Sequence, residues 1–448
     1  MRWRALVLLA AGLAGCRGPY PTPPKGAAVT APPFWRHELG SGATDARLDP
    51  HWWDRFGDPV IGQLVARALA HNPDLQSAIQ RVFEAQAETR LALSAQLPHI
   101  TGEVDGTGRA HVNGIDYSQY IIGGALSFDV DLFGRLREAT RAARAQALAT
   151  AADRDTVRLR LIADTVRDYV ALRASDAALA LLQDTLTNRQ AEAARVRHQV
   201  AVGYAQASAA YQADSQVAAT LAQIASTRLT ITQQETALAT LLGSPPADIP
   251  RGRPLMELPL PGPVAPIPAR VLARRPDLIS AADQIVAADH SLASARAAFL
   301  PDTTLSPEIV TSAGGLQFSG TMWSVGGSLL APIFVGGQLR ANADIAASER
   351  DQAAWAYRAA SLAAFAEVEN ALAAITRLAE QEQAAARLLD DNDRTLRDTK
   401  HRNSVGYTDY LTVLDAERTS LSSALDLIQI RAARLSQAAT LYQAIGGG

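Results

Sequence analysis

Apolar and polar positions follow two different periods along this chain. In residues 120–132 the apolar side chains alternate, with Tyr120, Ile122, Leu126, Phe128, Val130 and Leu132 on one side and Ser127, Asp129 and Asp131 on the other. Period two predicts a strand with one apolar face. The texture returns at 323–335, where Trp323, Val325, Leu329, Ala331, Ile333 and Val335 oppose Ser324, Gly326 and Ser328. A partner strand precedes each: 100–110, with Thr101, Glu103, Asp105, Thr107 and Arg109 on one face, and 303–311. Elsewhere alanine, leucine, glutamine and arginine dominate, and no proline occurs between Pro98 and Pro245 or after Pro332. Proline inside a helix costs ~3 kcal/mol, so 135–201 and 338–404 are predicted as helices. At 1.5 Å per residue each is roughly 100 Å long. Each ends in Val-Gly-Tyr, at Val202-Gly203-Tyr204 and Val405-Gly406-Tyr407, and a second helix returns over about 208–242 or 409–445. Glycine there is the left-handed C-cap, and Ser208 and Asp409 are the N-cap candidates for the returning helices. An ordinary loop between bundle helices would explain one such turn, and explains less well the same placement in two.

The two halves share a register. Asn72-Pro73-Asp74-Leu75 and Arg275-Pro276-Asp277-Leu278 are 203 residues apart, as are Leu97 and Leu300, Leu136 and Leu339, Gly203 and Gly406, and Gly243 and Gly446. One offset held through turns and helices without an insertion means tandem duplication. The period far exceeds that of solenoid repeats, so each half is a complete topological unit. The expected organisation is a leader over 1–15, an anchored extension over 16–58, a first repeat over 59–243, a proline-rich connection over 244–270 and a second repeat over 271–448.

The leader changes the picture further. Arg2 and Arg4 precede an apolar run, and Leu13-Ala14-Gly15-Cys16 reads as a bacterial lipobox holding the only cysteine of the chain. The run is too short to span a bilayer. Processing would leave Cys16 as the N-terminus carrying acyl chains, the one covalent group expected, and Arg17 in place of aspartate points to outer-membrane delivery. The prolines of residues 18–33 favour an extended tether. The predicted strands, near ten residues with one apolar and one polar face, match the strands of a transmembrane barrel. A half-buried soluble hairpin gives the same alternation. If the strands lie in lipid, four cannot close a barrel and open edges are forbidden there, so other chains must supply the rest.

The stretch WWDRFGDPVIGQLVARALAHNPDL at 52–75, the lipobox, the duplication and VGYTDYLTVLDAER at 405–418 resemble the outer-membrane efflux channel family, the TolC-like and OprM-like proteins, in its NodT-type lipoprotein branch. The resemblance covers essentially the whole mature chain. It implies a mixed, mainly α fold: a homotrimer whose α-helical barrel is continuous with a 12-stranded transmembrane β-barrel, four strands coming from each protomer. It implies a belt from 34–58 and 244–270. It further implies a passive exit duct in the outer membrane of a Gram-negative bacterium, joined through a periplasmic adaptor to an inner-membrane pump, most often of the resistance-nodulation-division type. The adaptor would meet the tips, Val202, Gly203, Tyr204, Val405, Gly406 and Tyr407. In the family acidic side chains near the second tip ring the opening. Asp415 matches a ring carboxylate, whereas Thr412 stands where some members carry another. Thr408 and Ala209 replace charged partners that tie the tips together in the best-known member, which leaves a salt-bridge latch in question. Asp415 as a plain solvated helix residue stays open.

Other chemistry finds little support. The net charge of −3 gives no hint of nucleic acid. Eight histidines are scattered without ligand spacing, and three methionines are a poor supply of soft ligands. No cofactor or catalytic motif is found, so no enzyme activity is expected. Trp52-Trp53 reads as belt packing before a carbohydrate platform. Two further readings compete with the efflux duct: a helical-stalk lipoprotein that conducts nothing, and the duct of a type I protein secretion system.

Overall fold

A computed structural model describes residues 24, 26–37, 49–112, 114–262, 267–314 and 320–447. Cys16, the leader and most of the tether lie outside them. The first repeat contains α1 (Pro59–His71), α2 (Pro73–Ser94), β1 (His99–Val112), β2 (Ile115–Asp129), α3 (Arg135–Ala201) and α4 (Ala207–Leu241). The second contains α5 (Pro268–Arg274), α6 (Pro276–Ala297), β3 (Asp302–Ala313), β4 (Gly320–Leu330), α7 (Gln338–Ser404) and α8 (Tyr410–Ala444). Three helix pairs, α2 with α6, α3 with α7 and α4 with α8, coincide at both ends under the 203-residue shift. The helices α3 and α7 each run 67 residues, as their freedom from proline predicts.

Both long helices and both returning helices end in one device. Tyr204 N donates to Gln199 O (2.8 Å) and Gly203 N to Val200 O (3.1 Å), with Gly203 at φ 78°. That is the Schellman arrangement, which satisfies the last carbonyls through a left-handed glycine. It recurs with Gly406, Gly243 and Gly446. The returning helices start differently from one another. Asp409 caps α8, its carboxylate accepting from Thr412 N at 3.0 Å. Ser208 does not cap α4: Gln206 holds that place and makes no side-chain cap bond. Gln206, not Ser208, is the residue 203 positions before Asp409.

The strands form one antiparallel sheet in the order β1-β2-β3-β4. They end earlier than the alternation predicts. Strand β2 stops at Asp129, because Asp131 turns back and its carboxylate accepts from Arg137 N at 2.8 Å. Strand β4 stops at Leu330. Pro332 follows, and proline cannot donate to a ladder. Val130, Leu132 and residues 331–335 are therefore not strand. In β1 the register shifts between Thr107 and Ala110, and the side chains of Thr107 and Arg109 lie outside the described ones.

The chain divides into two compact units. One holds the sheet, Gln80–Ala152 and Asp277–Ala360, with the described residues before Ala31; the other comprises Ala31–Ile79, Asp153–Pro276 and Ser361–Gly448. The second unit has the main apolar core, built on Trp52, Phe56, Tyr169, Leu172, Leu238 and Tyr442. Trp52 lies in a 3-10 turn, Trp52–Phe56, and stacks on Tyr442 with ring centroids 4.9 Å apart. The tryptophan pair is buried packing, as read from the sequence. Beside it Asp58, 3% exposed, caps α1 through Val60 N (3.0 Å) and accepts from Tyr169 Oη and Arg253 N, both at 2.9 Å. A buried carboxylate is stable only when so satisfied, and this one joins three segments far apart in sequence.

Candidate functional site: hairpin tips and a two-faced sheet

The tips are built from backbone geometry. A Schellman turn normally packs the residue after its glycine against the helix behind it. Here those residues, Tyr204 and Tyr407, are 88% and 85% exposed, and Val202 and Val405 are exposed beside them. The fold makes no use of this apolar surface, which leaves it free to meet a partner. An added Cβ at Gly203 or Gly406 would touch nothing within 4 Å, so the glycines serve the turn and not a close approach.

Behind the tips the two hairpins touch. Ala193, Val196 and Ala213 form a small cluster, and Ala209, Ala210 and Tyr410 pack against it. Burial, together with the carboxylates of Glu192 and Glu417, pushes the Tyr410 phenol up to about 12. Arg195 reaches from α3 to Asn403 of α7 at 3.3 Å, and Asn403 donates to Thr408 O at 3.0 Å. Lys400 pairs with Glu417 at 2.7 Å. Arg189, its charged form disfavoured by burial, donates to Thr220 Oγ1 at 2.7 Å. Thr408 and Ala209 thus enter the contact through a carbonyl and a methyl group. Sequence reasoning missed Arg189, Arg195, Asn403 and Tyr410. The spacing of Arg189, Ala193 and Val196, one helix face, was the available signal.

The two gate candidates lie on the first turns of α8. Thr412 is drawn into the N-cap, its backbone N–H and hydroxyl both donating to Asp409. Asp415 is exposed. Among the described residues no His/Cys/Asp/Glu cluster is arranged to hold a metal ion.

The sheet presents two unlike faces. Pairing places Ile100, Val104, Tyr120, Ile122, Ile309, Trp323, Val325 and Leu329 on one face. All are exposed. The other face carries Glu103, Asp105, Asp129, Glu308, Ser324 and Ser328, with Ile121, Val310, Met322 and Leu330 among them. An exposed apolar face backed by a polar one suits lipid on one side and water on the other. No helix among the described residues is long and apolar enough to cross a membrane.

Comparison with known proteins agrees with this geometry. The outer membrane efflux protein family matches residues 64–244 and again 267–447, two segments that the 203-residue offset superimposes end to end. The chain is 32% identical over 416 residues to the cation efflux system protein CusC of Escherichia coli K12, covering 91% of this chain and 90% of the relative. It is 31% identical over 451 residues to the pyoverdine export outer membrane protein OpmQ of Pseudomonas aeruginosa, covering 97% and 95%. Crystal structures of CusC, concerned with folding and transmembrane channel formation, superimpose with a TM-score of 0.85 at 30% identity, covering 96% of this chain and 100% of that one. With this family matched twice in register and the sheet and hairpins in place, the chain belongs to the outer membrane efflux proteins and is an outer-membrane channel of an efflux system.

Proposed function

We propose that three copies of this chain assemble into a passive exit duct, which receives small molecules from an inner-membrane pump through a periplasmic adaptor. The observation that carries the reading is the sheet: four strands with an exposed apolar face and an unpaired edge on both β1 and β4. Such an edge is not tolerated in lipid, and closure by three copies gives twelve strands with the acidic and hydroxyl face turned inward. The exposed tips are the adaptor contact, with Val202, Gly203, Tyr204, Val405, Gly406 and Tyr407 on its surface. Acyl chains on Cys16 would anchor the assembly, because several chains hold a protein far better than one. The relatives' names pair this architecture with cations in one case and pyoverdine in another. That supports a duct whose cargo is chosen by the pump; the resistance-nodulation-division type proposed for that pump rests on the family resemblance.

Purified protein in a planar bilayer tests the duct. Discrete single-channel conductance and a trimeric mass in detergent are the expected results. A monomer, or a trimer that never conducts, would overturn the reading. Mass spectrometry of the mature N-terminus checks the lipid on Cys16.

A further inference from the structure

The ladder between β2 and β3 has a gap. The two strands pair from Tyr120 opposite Ala313 to Ala125 opposite Glu308, and again at Phe128 opposite Leu305. Leu126 with Pro307 and Ser127 with Ser306, the positions between, are unpaired, although β3 pairs with β4 there without interruption. The register gives the cause. Val130 N donates to Thr303 O, and in an antiparallel ladder every second pair exchanges bonds, so the next exchanging pairs are Phe128 with Leu305 and Leu126 with Pro307. Proline has no N–H. The Leu126 carbonyl therefore receives nothing from β3, in the interior of a sheet where proline is normally excluded.

An unmet carbonyl inside a membrane wall is costly until a donor reaches it. From the apolar face, where Leu126, Pro307 and Val325 stand, no donor comes. On the polar face its neighbours Ser127 and Ser306 are small and exposed, so a donor arrives from the water side.

That side is not uniformly polar around the gap. Glu308, next to Pro307 in β3, is exposed and forms no ion pair among the described residues. Two residues further, ~7 Å along the strand, Val310 lies beside Met322 of β4 and opposite Gly123 of β2. An added Cβ at Gly123 would stand 3.4 Å from Val310 Cγ2, so the valine leans over the glycine. Ile121 extends the patch, and Met322 is 62% exposed. A few polar groups beside an apolar floor are the makings of a small-molecule site. The carboxylate selects a cation, and the carbonyl selects one that carries an N–H. A metal ion would gain no ligand from the apolar floor.

We propose that the polar face of the sheet binds amphipathic primary or secondary amines. The ammonium group pairs with Glu308 and donates to Leu126 O through the gap opened by Pro307, and the apolar body lies on Val310, Met322 and Ile121. This rests on the duct reading above, which turns that face to the water-filled interior.

Single-channel recording of the full-length protein in planar bilayers tests the site, with hexylammonium as the probe. It should lower the current saturably at concentrations where ethylammonium, which lacks the apolar body, and hexyltrimethylammonium, which lacks the N–H, leave it unchanged. Glu308→Gln should raise the half-blocking concentration about tenfold, because a charge-assisted bond is lost. Pro307→Val changes a side chain on the opposite face and supplies Leu126 O with its missing donor. It should raise the half-blocking concentration severalfold and keep the unblocked conductance. Asp415→Asn should leave the response to hexylammonium as it is. Protein that never conducts sinks the duct reading itself. Channels that conduct yet ignore hexylammonium, respond alike to all three cations, keep the full response in Pro307→Val or Glu308→Gln, or lose it with Asp415→Asn overturn the site and leave the duct standing.

Discussion

At the residue scale, buried polar groups decide more than their number implies. Asp58 is held by Tyr169 Oη, and that same hydroxyl accepts from Gly252 N at 2.9 Å. Tyr169→Phe removes both bonds, leaving the half-buried Gly252 N–H without this acceptor and the buried Asp58 Oδ2 with Arg253 N as its remaining donor, a loss of ~1–3 kcal/mol. Burial first, opposed by the Gly252 bond, pushes the Tyr169 phenol from 10.0 up to about 12. A raised phenol stabilises the fold below its unfolded value and ceases to do so as pH climbs through the folded one. Wild-type melting temperature should therefore fall between pH 10 and about 12, and Tyr169→Phe should melt lower at neutral pH yet lose less across that window. Equal alkaline slopes would remove Tyr169 as the cause. Gly243 and Gly446 form a second contrast. Both have positive φ, but an added Cβ would stand 2.1 Å from His71 O in the first repeat and 3.1 Å from Arg274 O in the second. A left-handed alanine alone costs ~1–2 kcal/mol. Gly243→Ala should exceed that and Gly446→Ala should stay near it, as measured by the shift in thermal unfolding; equal shifts would refute the role of the close approach.

At the element scale, what was legible in the sequence was whatever depends on local chemistry. Helices α3 and α7 have the predicted bounds because proline exclusion and the Val-Gly-Tyr stops act within a few residues. Strand ends and contacts between hairpins were not legible. Val130 and Leu132 keep the alternation, yet Asp131 ends β2 by bonding six residues ahead, and Tyr410 finds its neighbours on a hairpin some 200 residues away. The repeat itself explains the recurring Asn/Arg-Pro-Asp-Leu: Asn72 donates to Leu241 O and Arg275 to Ala444 O, each at 3.0 Å, so both starts tie down the end of the returning helix. The caps of those helices differ, and that difference is testable. Bonds from Thr412 hold the Asp409 carboxyl below its usual 3.8, so its contribution is present above that value and lost on acidification. Asp409→Ala should speed amide exchange in the first turn of α8, and Gln206→Asp should slow it in α4. Unaltered exchange in both would mean that packing, not capping, holds the tips.

At the scale of the whole molecule, symmetry multiplies single side chains. In the trimer proposed above one exposed carboxylate becomes three, and like charges around a narrow water-filled opening concentrate cations. Two acidic residues of α8 are well placed to separate position from charge. Asp415 is exposed, whereas Glu417 is largely covered and spent on Lys400 at 2.7 Å. Asp415→Asn should therefore weaken the block of single-channel current by multivalent cations, and Glu417→Gln, which removes the same charge, should leave the block nearly unchanged. Thr412 adds the opposite test: its side chain already bonds Asp409, so Thr412→Asp sets a second carboxylate beside the first and should strengthen the block while loosening the cap. Block that is insensitive to Asp415 but falls with Glu417 would move the constriction to the Lys400 pair, and block that ignores all three would place it away from this tip.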